Sequence, residues 1–442
     1  MSTLRATAGW TRPVSLDGSS RSTFLWGAAT SEYQIEGGPE SDWARWEREG
    51  RLRARHERCG EASGHGRLWE SDYALLASLG VNAYRFSVEW SKVEPVRGEF
   101  SIAALEEYRR RVDRLLQLGI EPVLTLFHYT HPAWFAEFGW ETRRGVELFL
   151  DFARAVADAV GDRVSMYTIL NEPVVFVLGG YLDGRIPPGL NNFSKASRAI
   201  ENLLRAHSEA SFLLRERNPR ARFGIAHNMM DFAPGRRTSW ADRRLAAAAD
   251  RFYNRAYLEA AATGRLDMRI PMIGRIRASV PDLPGTTDFI GVNYYSRLHL
   301  QFPGRSRWKG EFFYRDGGGR GLTDTGWEVH PEGLVSCLRT AAETGLPVIV
   351  TENGIATRDD RLRCDFLREH VALLARARTS GLPLEGYFYW SLLDNFEWLE
   401  GFAPRFGLVD VDYATFARRR RPSAALFAEL GARFLHPVLT SP

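Results

Sequence analysis

Residues Val348–Gly354 read Val-Ile-Val-Thr-Glu-Asn-Gly and join an apolar run to a turn that carries a carboxylate. Three consecutive β-branched apolar residues are typical of a parallel strand that is buried on both faces. Because Asn-Gly is a turn sequence, the strand is predicted to end near Glu352. A lone carboxylate in such a place usually marks only where a strand meets water. Residues Val164–Pro173 repeat the pattern, however, with an apolar run that ends at Glu172 before a proline.

On both sides of this stretch, the sequence alternates predicted helices and strands. Strands are predicted at 24–29, 81–87, 120–127, 164–170, 221–227, 288–293, 347–351 and 384–390. Helices are predicted at 70–79, 105–118, 146–160, 193–216, 241–262, 332–344, 365–379 and 423–434. Several of the helices end at a glycine, which adopts the left-handed capping conformation at little cost. Residues 296–326 are Gly-rich and weakly patterned, which predicts a surface loop.

This alternation, without a linker rich in Pro, Gly or Ser, predicts an α/β fold. The expected form is a single (β/α)8 TIM barrel with long loops at the C-terminal rim, in one catalytic domain over residues 1–442. An open doubly wound sheet is the alternative. Against it, Gly37-Gly38 lacks the spacing of a phosphate-binding loop after the first strand.

The distribution of charge argues against a nucleic-acid partner. The 58 basic residues include only three lysines, and the net charge is +4. Residues Arg109–Arg111 are predicted to lie on the solvated face of a helix, and Arg418–Arg421 is the densest basic run. No basic stripe is interleaved with aromatic residues, as nucleic-acid binding would require. We therefore expect no nucleic-acid partner.

Cysteine usage and hydropathy suggest a compartment. Cys59, Cys337 and Cys364 are too few and too scattered for a disulfide framework or a zinc site. Residues 1–23 contain no apolar run of signal-peptide length, and no stretch approaches the roughly 20 apolar residues of a membrane span. These features predict a cytoplasmic protein without a membrane span. They leave open whether it forms a homo-oligomer.

A closed barrel brings the C-terminal ends of its strands to one rim, so polar residues at those ends are predicted to share a pocket. The fourth and seventh strands lie three steps apart among eight, which places Glu172 and Glu352 across the mouth. The polar and aromatic residues expected along this rim are Gln34, Glu36, Arg85, His128, Asn171, Glu172, Asn293, Tyr294, Tyr295, Glu352, Asn353, Trp390, Glu397 and Trp398.

Two opposed carboxylates among amides and tryptophans suggest sugar chemistry. One carboxyl can protonate a glycosidic leaving group, while the other acts from the opposite face of the ring. A metal site is the alternative use of paired carboxylates, and His128 could serve there. No His-x-x-x-His or Asp-x-Asp spacing supports a metal site, so we expect no metal.

Seven segments resemble glycoside hydrolase family 1, the β-glucosidase and β-galactosidase family, over nearly the whole chain from Phe24 to about Phe434. The short Asn-Glu-Pro segment alone is a weak signal, whereas all seven in order and at these spacings are very specific. The segments are Phe-Leu-Trp-Gly-Ala-Ala-Thr-Ser-Glu-Tyr-Gln-Ile-Glu-Gly (24–37), Tyr-Arg-Phe-Ser (84–87), Thr-Leu-Phe-His (125–128), Asn-Glu-Pro (171–173), Asp-Phe-Ile-Gly-Val-Asn-Tyr-Tyr (288–295), Thr-Glu-Asn-Gly (351–354) and Trp-Ser-Leu-Leu-Asp-Asn-Phe-Glu-Trp (390–398).

The resemblance implies a retaining β-glycosidase of carbohydrate metabolism. It would hydrolyse β-glucosides, β-galactosides or β-fucosides by double displacement, without a cofactor. In this reading Glu172 is the general acid/base and Glu352 the nucleophile. Pairing with Arg85 is expected to keep Glu352 ionised, and desolvation without such a partner is expected to keep Glu172 protonated. Glu397 would repel a phosphate, which disfavours 6-phospho-sugars.

The resemblance also implies supporting roles for the other rim residues. Arg85 and Tyr295 would hold and tune the nucleophile, and Asn293 belongs to the same catalytic group. Trp390 would be the floor under the sugar ring, and Trp327 the platform for the leaving group. The residues implied to contact sugar hydroxyls are Gln34, His128, Asn171, Glu397 and Trp398.

Two alternatives remain open. Parts of Trp69–His128 also resemble the plant galactolipid-remodelling branch, whose members transfer β-linked sugars to acceptor sugars. A non-catalytic sugar-binding relative is disfavoured because all four central residues, Glu172, Glu352, Arg85 and Tyr295, are present.

The departures from the family pattern concern the outer pocket. Tyr129 stands where Trp or Phe is common, and His131 where an apolar residue is common. The segments 64–69 and 229–288 also depart, the second by being compressed. These departures leave the preferred sugar, the leaving group and the balance between hydrolysis and transfer unassigned.

Overall fold

The structure, a computed structural model, describes residues 24–436 apart from 55, 271–273, 304–310, 317–318 and 320. Residues 1–23, in which the sequence shows no run of signal-peptide length, lie outside the described residues, as do residues 437–442. The assignment of residues 1–442 to one catalytic domain therefore stays a prediction. Within the described residues, no helix combines the length and the apolar character needed to cross a membrane.

Eight parallel strands form a closed barrel. Each strand pairs with the next along the chain, and the eighth pairs with the first. The predicted (β/α)8 barrel is therefore confirmed. The strands are β1 (Leu25–Ala29), β2 (Ala83–Ser87), β3 (Glu121–Phe127), β4 (Met166–Asn171), β5 (Arg222–Pro234), β6 (Phe289–Gln301), β7 (Val348–Asn353) and β8 (Leu384–Trp390).

Helices cover the outside of the barrel, close to where the hydrophobic periodicity predicts them. The expected helix over 241–262 is interrupted by a wider π-helical turn, Arg251–Arg255. The main helices are His65–Ala77, Ile102–Gln117, Arg143–Val160, Phe193–Arg217, Trp240–Asp250, Ala256–Thr263, Pro331–Ala342, Asp360–Thr379 and Pro422–Leu435. Short helices and turns at the rim are Glu32–Glu36, Asp42–Arg48, Trp90–Val93, Ala133–Glu137, Pro173–Val177, Leu178–Asp183 and Trp398–Glu400.

Several β elements differ from the sequence prediction. β5 and β6 continue far beyond their predicted ends, and β6 also pairs with a short antiparallel strand, Glu311–Phe313. The predicted surface loop is therefore wrong over residues 296–301 and 311–313. Residues Arg265–Ile270 and Gly274–Ser279 form an unpredicted antiparallel pair, as do Val409–Val411 and Arg418–Arg420.

Apolar side chains fill the barrel and the layer between the barrel and the helices. In the inner cluster, β1 to β3 contribute small side chains and β4, β6, β7 and β8 contribute larger ones, which together fill the barrel. Trp390, the last residue of β8, packs against this cluster and also lines the cavity at the rim. The inner residues include Ala29, Ala83, Val123, Met166, Phe289, Ile349 and Phe388.

Two of the basic runs serve the fold. Arg111 is buried and bonds to Glu36 and Glu107, so the prediction that Arg109–Arg111 is a solvated face is wrong at this residue. Arg418 pairs with Asp72 at 2.8 Å. At the other end of that run, Arg421 pairs with Asp394 at 2.8 Å. These pairs tie the C-terminal segment to the barrel.

Candidate active site

A cavity of about 400 Å³ opens at the C-terminal ends of the strands. It brings together ten of the residues that the sequence predicts for the site, and it includes both carboxylates. Arg85 and Asn293 lie directly behind its wall, in contact with these carboxylates. The ten lining residues are Gln34, His128, Asn171, Glu172, Tyr295, Trp327, Glu352, Trp390, Glu397 and Trp398.

Glu352, the last residue but one of β7, is held by one cation and one phenol. Arg85 Nη1 donates to Glu352 Oε1 at 2.6 Å, and the Tyr295 hydroxyl donates to Oε2 at 2.6 Å. Arg85 is completely buried, so its charge acts on the carboxylate with little screening by solvent. Burial nevertheless raises the pKa of Glu352 to about 7, with Arg85 acting in the opposite direction. The expectation that Arg85 keeps Glu352 fully ionised is met only in part.

Glu172 follows β4 directly, and its hydrogen-bond partners among the described residues are all uncharged. Its backbone has a φ of +47°, and Pro173 begins the next short helix. Asn228 Nδ2 and Asn293 Nδ2 each donate to Glu172 Oε1 at 2.9 Å, while the Tyr129 hydroxyl donates to Oε2. These three donors are neutral, which agrees with the expectation that Glu172 lacks a charged partner such as Arg85. That desolvation keeps Glu172 protonated stays a prediction.

A network of amides joins the two carboxylate sites. Arg85 Nη2 donates to Asn171 Oδ1 at 2.7 Å, and Asn293 Nδ2 donates to the same oxygen at 3.1 Å. The Thr351 hydroxyl donates to Asn293 Oδ1 at 2.6 Å. Side chains from β2, β4, β6 and β7 thus hold each other in place. Such mutual bonding fixes the separation and orientation of the two carboxylates.

A polar wall of the pocket, formed by Gln34, His128 and Glu397, carries buried polar atoms that have no partner among the described residues. Gln34 Nε2 donates to Glu397 Oε2 at 3.2 Å, but Gln34 Oε1 has no hydrogen-bond partner among the described residues. His128 accepts from Asn171 at Nε2, and its Nδ1 also lacks a partner there. Burial and the neighbouring carboxylates raise the pKa of Glu397 to about 8. Because unpaired buried polar groups are costly, this wall fits a ligand rich in hydroxyls.

Residues 17–433 match the sequence model of glycosyl hydrolase family 1. The chain belongs to glycosyl hydrolase family 1. It is therefore an O-glycosyl hydrolase, and the resemblance drawn from the seven sequence segments is confirmed.

Family 1 proteins of known name or structure align with nearly the whole chain. The β-glucosidase A of Thermotoga maritima is 35% identical over 421 residues, which are 89% of this chain and 94% of that protein. A bifunctional β-D-glucosidase/β-D-fucosidase of Bifidobacterium breve is 31% identical over 450 residues, 90% of this chain and 95% of that protein. The solved β-glycosidase from Pyrococcus horikoshii is 37% identical, covers 95% of this chain and 97% of its own, and has a TM-score of 0.84.

An outer cleft of about 820 Å³ adjoins the pocket of this family 1 enzyme. Trp327 and Tyr129 line both cavities, as does Arg185 from the loop after β4. Arg358 reaches the outer cleft only, from the segment after β7. The two cavities are thus adjacent, and Trp327 belongs to the lining of both.

Three of the predicted rim residues lie elsewhere. Glu36 bonds to Arg111 and Lys92 beneath the rim. The Tyr294 hydroxyl donates to the His330 carbonyl at 2.6 Å, on the outer side of β6. Asn353 Nδ2 donates to the Tyr294 carbonyl, which fixes the neighbouring strand ends rather than the pocket.

Several pocket residues were not predicted from the sequence. Asn228, Met230, Tyr253 and Tyr314 line the cavity but were not predicted. Asn228 could have been found, because it follows the predicted end of the fifth strand, the one strand for which no rim residue was named. Tyr253 could not, because it comes from the π-helical turn. Among the described residues, no group of three or more His, Cys, Asp or Glu side chains is arranged to hold a metal ion.

Proposed function

We propose that this family 1 enzyme is a retaining β-glycosidase that hydrolyses small β-glucosides, β-galactosides or β-fucosides. The observation that carries the proposal is the unlike surroundings of two carboxylates in one pocket. Glu352 is paired with the guanidinium of Arg85, whereas Glu172 has amide and phenol donors only. Glycoside hydrolysis with retention needs two carboxyl groups with different roles.

In the first step, Glu352 is the nucleophile. Its carboxylate attacks the anomeric carbon while the bond to the leaving oxygen breaks, and Glu172 gives its proton to that oxygen. Arg85 and Tyr295 support this role, because both stabilise the carboxylate form of Glu352. Together with Asn293, which contacts Glu172, they position the reacting groups.

In the second step, water attacks the glycosyl-enzyme. Glu172, now a carboxylate, takes a proton from the water. At the same time the water oxygen bonds to the anomeric carbon, and the bond between this carbon and Glu352 breaks. The sugar is released with its original configuration, because the anomeric carbon has been inverted twice. The donors on Glu172 favour this charged form of the side chain.

The remaining pocket residues bind and orient the sugar. Gln34 Oε1, His128 Nδ1 and the Glu397 carboxylate offer hydrogen-bonding positions for hydroxyls. Asn171 lines the pocket and bonds to Arg85 and Asn293, which contact the two carboxylates, and from there it would contact the 2-hydroxyl. Trp390 supplies the floor, Trp398 adds a further contact, and Trp327 faces the leaving group in the outer cleft. No part of this reading requires a cofactor.

The choice of sugar follows from the polar wall and from the relatives. The Thermotoga and Bifidobacterium proteins are named as acting on β-glucosides, and the second also on β-fucosides, which supports both classes for this chain. Galactosides are included because the hydroxyl-binding residues accept either orientation of the 4-hydroxyl. A 6-phosphate would find no positive charge at Glu397 and would meet a negative one above the pKa of about 8 of this carboxyl, so phosphorylated sugars should be poor substrates.

Azide rescue tests the two assigned roles. Glu172→Ala should still form a glycosyl-enzyme from a dinitrophenyl β-glucoside, since this leaving group needs no proton, but its breakdown should stall. Azide needs no general base, so it should restore turnover and give the β-glycosyl azide. Glu352→Ala should be inactive without azide and should give the α-azide with it. The opposite anomers would show that the roles are exchanged.

Transfer of the sugar to an acceptor sugar is a second candidate function. It is favoured by the larger outer cleft, which shares Trp327 with the pocket and has room for an acceptor next to this residue. Product analysis at high concentrations of a β-glucoside and a free acceptor sugar separates the two. Disaccharide formation at the expense of free glucose would support transfer, and free glucose alone would support hydrolysis.

We also propose that the enzyme works in the cytoplasm on small glycosides, without a nucleic-acid partner. In support, Cys59, Cys337 and Cys364 are all free thiols, as expected in a reducing compartment.

A further inference from the structure

Tyr129 lies beside Glu172 and contacts it directly. It follows β3 in the short loop that begins at His128, and its hydroxyl donates a hydrogen bond to Glu172 Oε2. The other oxygen, Oε1, already accepts from two amide groups, those of Asn228 and Asn293. Two donors use both lone pairs of Oε1, whereas Oε2 accepts from Tyr129 alone and keeps one lone pair free. Oε2 is therefore the oxygen that can exchange a proton during catalysis.

The phenol of Tyr129 is held firmly in this place. Its ring packs edge-on against Trp398 with a centroid distance of 5.3 Å, and it also contacts Phe176. Its backbone has a φ of +69°, a conformation that residues other than glycine adopt rarely and mainly where the surrounding structure enforces it. The side chain is only 7% exposed. The hydrogen bond to Glu172 is thus built into the rim.

We propose that Tyr129 is a positioning residue that controls how readily Glu172 holds its proton. By donating to Oε2, it favours the carboxylate and so limits proton donation to the leaving group at higher pH. In the second step the same bond favours the carboxylate that must act as base. This inference rests on the proposed role of Glu172 as acid/base.

The protonation of Tyr129 itself supports the direction of the hydrogen bond. Burial, together with the charge of Glu172, raises the pKa of Tyr129 well above its ordinary value. The phenol therefore stays protonated and remains a hydrogen-bond donor at neutral pH. The other titratable and charged groups that line the same cavity, or lie behind its wall, are Arg85, His128, Arg185, Tyr253, Tyr295, Glu352 and Glu397.

The test is the pH dependence of kcat/KM for Tyr129→Phe with an alkyl β-glucoside, whose leaving group requires protonation. Loss of a hydrogen bond to a carboxylate should move the basic limb of the profile upward by about one pH unit or more. With a dinitrophenyl β-glucoside, which needs no general acid, this limb should be missing in both proteins. An unshifted limb in folded Tyr129→Phe would overturn the proposal.

A second substitution tests the same bond in the opposite direction. Site-specific replacement of Tyr129 by 3,5-difluorotyrosine keeps the ring and makes the phenol a stronger donor, so the basic limb should move to lower pH. Tyr167→Phe is the matched control, because Tyr167 is a buried tyrosine of β4 whose hydroxyl has no partner among the described residues. Its profile should equal that of the wild type, and a shift equal to that of Tyr129→Phe would overturn the proposal.

The Glu172→Gln background separates this inference from the proposed function. Glutamine cannot exchange the proton, so adding Tyr129→Phe there should leave the pH profile unchanged. If Glu172→Gln alone retained full activity on the alkyl glucoside, the proposed role of Glu172 would fail. If Glu172→Gln lost activity while Tyr129→Phe left the basic limb in place, only the inference about Tyr129 would fail.

Discussion

At the scale of single residues, the site depends on which atoms reach each carboxylate. Glu352 and Glu172 are 3% and 7% exposed, so neither is stabilised by bulk water. Their charge states are therefore set by neighbours that other strands supply. Glu352 receives a guanidinium and a phenol, and Glu172 receives amides and a different phenol. Removal of one donor should therefore change the charge state of the carboxyl group that it contacts more than that of the other.

The pH dependence of Tyr295→Phe checks this for the nucleophile. Glu352 must be ionised to attack, and burial raises its pKa to about 7, while Tyr295 opposes the shift. Removal of the Tyr295 hydroxyl takes a donor from the carboxylate, so its pKa should rise further. The acidic limb of kcat/KM for a dinitrophenyl β-glucoside should then move upward by about one pH unit.

Tyr294→Phe is the control for the loss of a tyrosine hydroxyl next to this position. Tyr294 precedes Tyr295 on β6, but its hydroxyl bonds to the His330 carbonyl instead of Glu352. Its acidic limb should remain where the wild type has it. An unmoved limb in Tyr295→Phe would mean that the phenol does not stabilise the carboxylate.

Sequence alone could identify the two carboxylates but could not identify all of their partners. Glu172 and Glu352 each follow an apolar run that stops abruptly, which is a local signal. Tyr129 and Asn228 reach Glu172 from other strands, and these contacts depend on strand register and on side-chain direction. Neither property can be read from one sequence, so Tyr129 and Asn228 were not predicted as partners of Glu172.

At the scale of elements, the π-helical turn Arg251–Arg255 connects a helix to the pocket. Asn254 in this turn bonds to both the amide and the carbonyl of Met230, at 3.1 and 2.8 Å. The adjacent Tyr253 hydroxyl donates to Asn228 Oδ1 at 2.7 Å, which turns the amide of Asn228 toward Glu172. A regular helix would not present both side chains to β5 in this way. The sequence predicted one uninterrupted helix, because its apolar spacing gives no sign of the wider turn.

Asn254→Ala should therefore damage stability and catalysis together. Two polar groups of Met230 would lose their partners, at a cost of about 1–3 kcal/mol each where they stay buried. Displacement of the rim of β5 would also weaken the hold of Asn228 on Glu172 and lower kcat/KM on the order of tenfold. Thermal unfolding and steady-state kinetics measure the two effects.

Asn191→Ala is the matched control for Asn254→Ala. Asn191 is an exposed asparagine in the loop before the helix Phe193–Arg217, away from the pocket. The variant should behave as the wild type in both measurements. If Asn254→Ala unfolded earlier but kept full kcat/KM, the turn would support the fold without positioning Asn228.

At the scale of the whole molecule, the regular alternation of strands and helices along the chain explains why the architecture could be predicted. Eight buried strands and the amphipathic helices between them leave one economical arrangement, the closed barrel. The parts that could not be predicted are those with a tertiary cause. The extended β6 is an example, because its length depends on pairing with β5 and with Glu311–Phe313 rather than on its own composition.

The buried carboxyl groups of the whole molecule also determine how its stability varies with pH. Burial raises the pKa of Glu32, Asp42 and Glu397 to about 8, and that of Glu352 to about 7. Their ordinary values are 4.5 for Glu and 3.8 for Asp. Between these values the folded protein holds protons that the unfolded chain has released. Stability should therefore fall as the pH rises through this range, by about 1.4 kcal/mol per pH unit for each such proton.

Buried histidines act in the opposite direction, but only at lower pH. Burial lowers the pKa of His131 and His227 to about 4 and that of His207 to about 3, from an ordinary 6.5. Between about pH 4 and 6.5 the unfolded chain binds more protons at these groups, so they add stability as the pH rises. Above pH 6.5 their contribution is complete, and the buried carboxyl groups decide the trend.

We therefore expect the unfolding temperature of the free enzyme to fall between pH 6.5 and pH 8. Glu397→Gln should make this fall shallower, because a glutamine has no proton to lose in that range. Glu106→Gln, which changes an exposed glutamate, should leave the slope unchanged. Differential scanning calorimetry in buffers of equal ionic strength measures all three proteins. A wild-type unfolding temperature that stays level or rises from pH 6.5 to pH 8 would show that these carboxyl groups release their protons at lower pH than their burial implies.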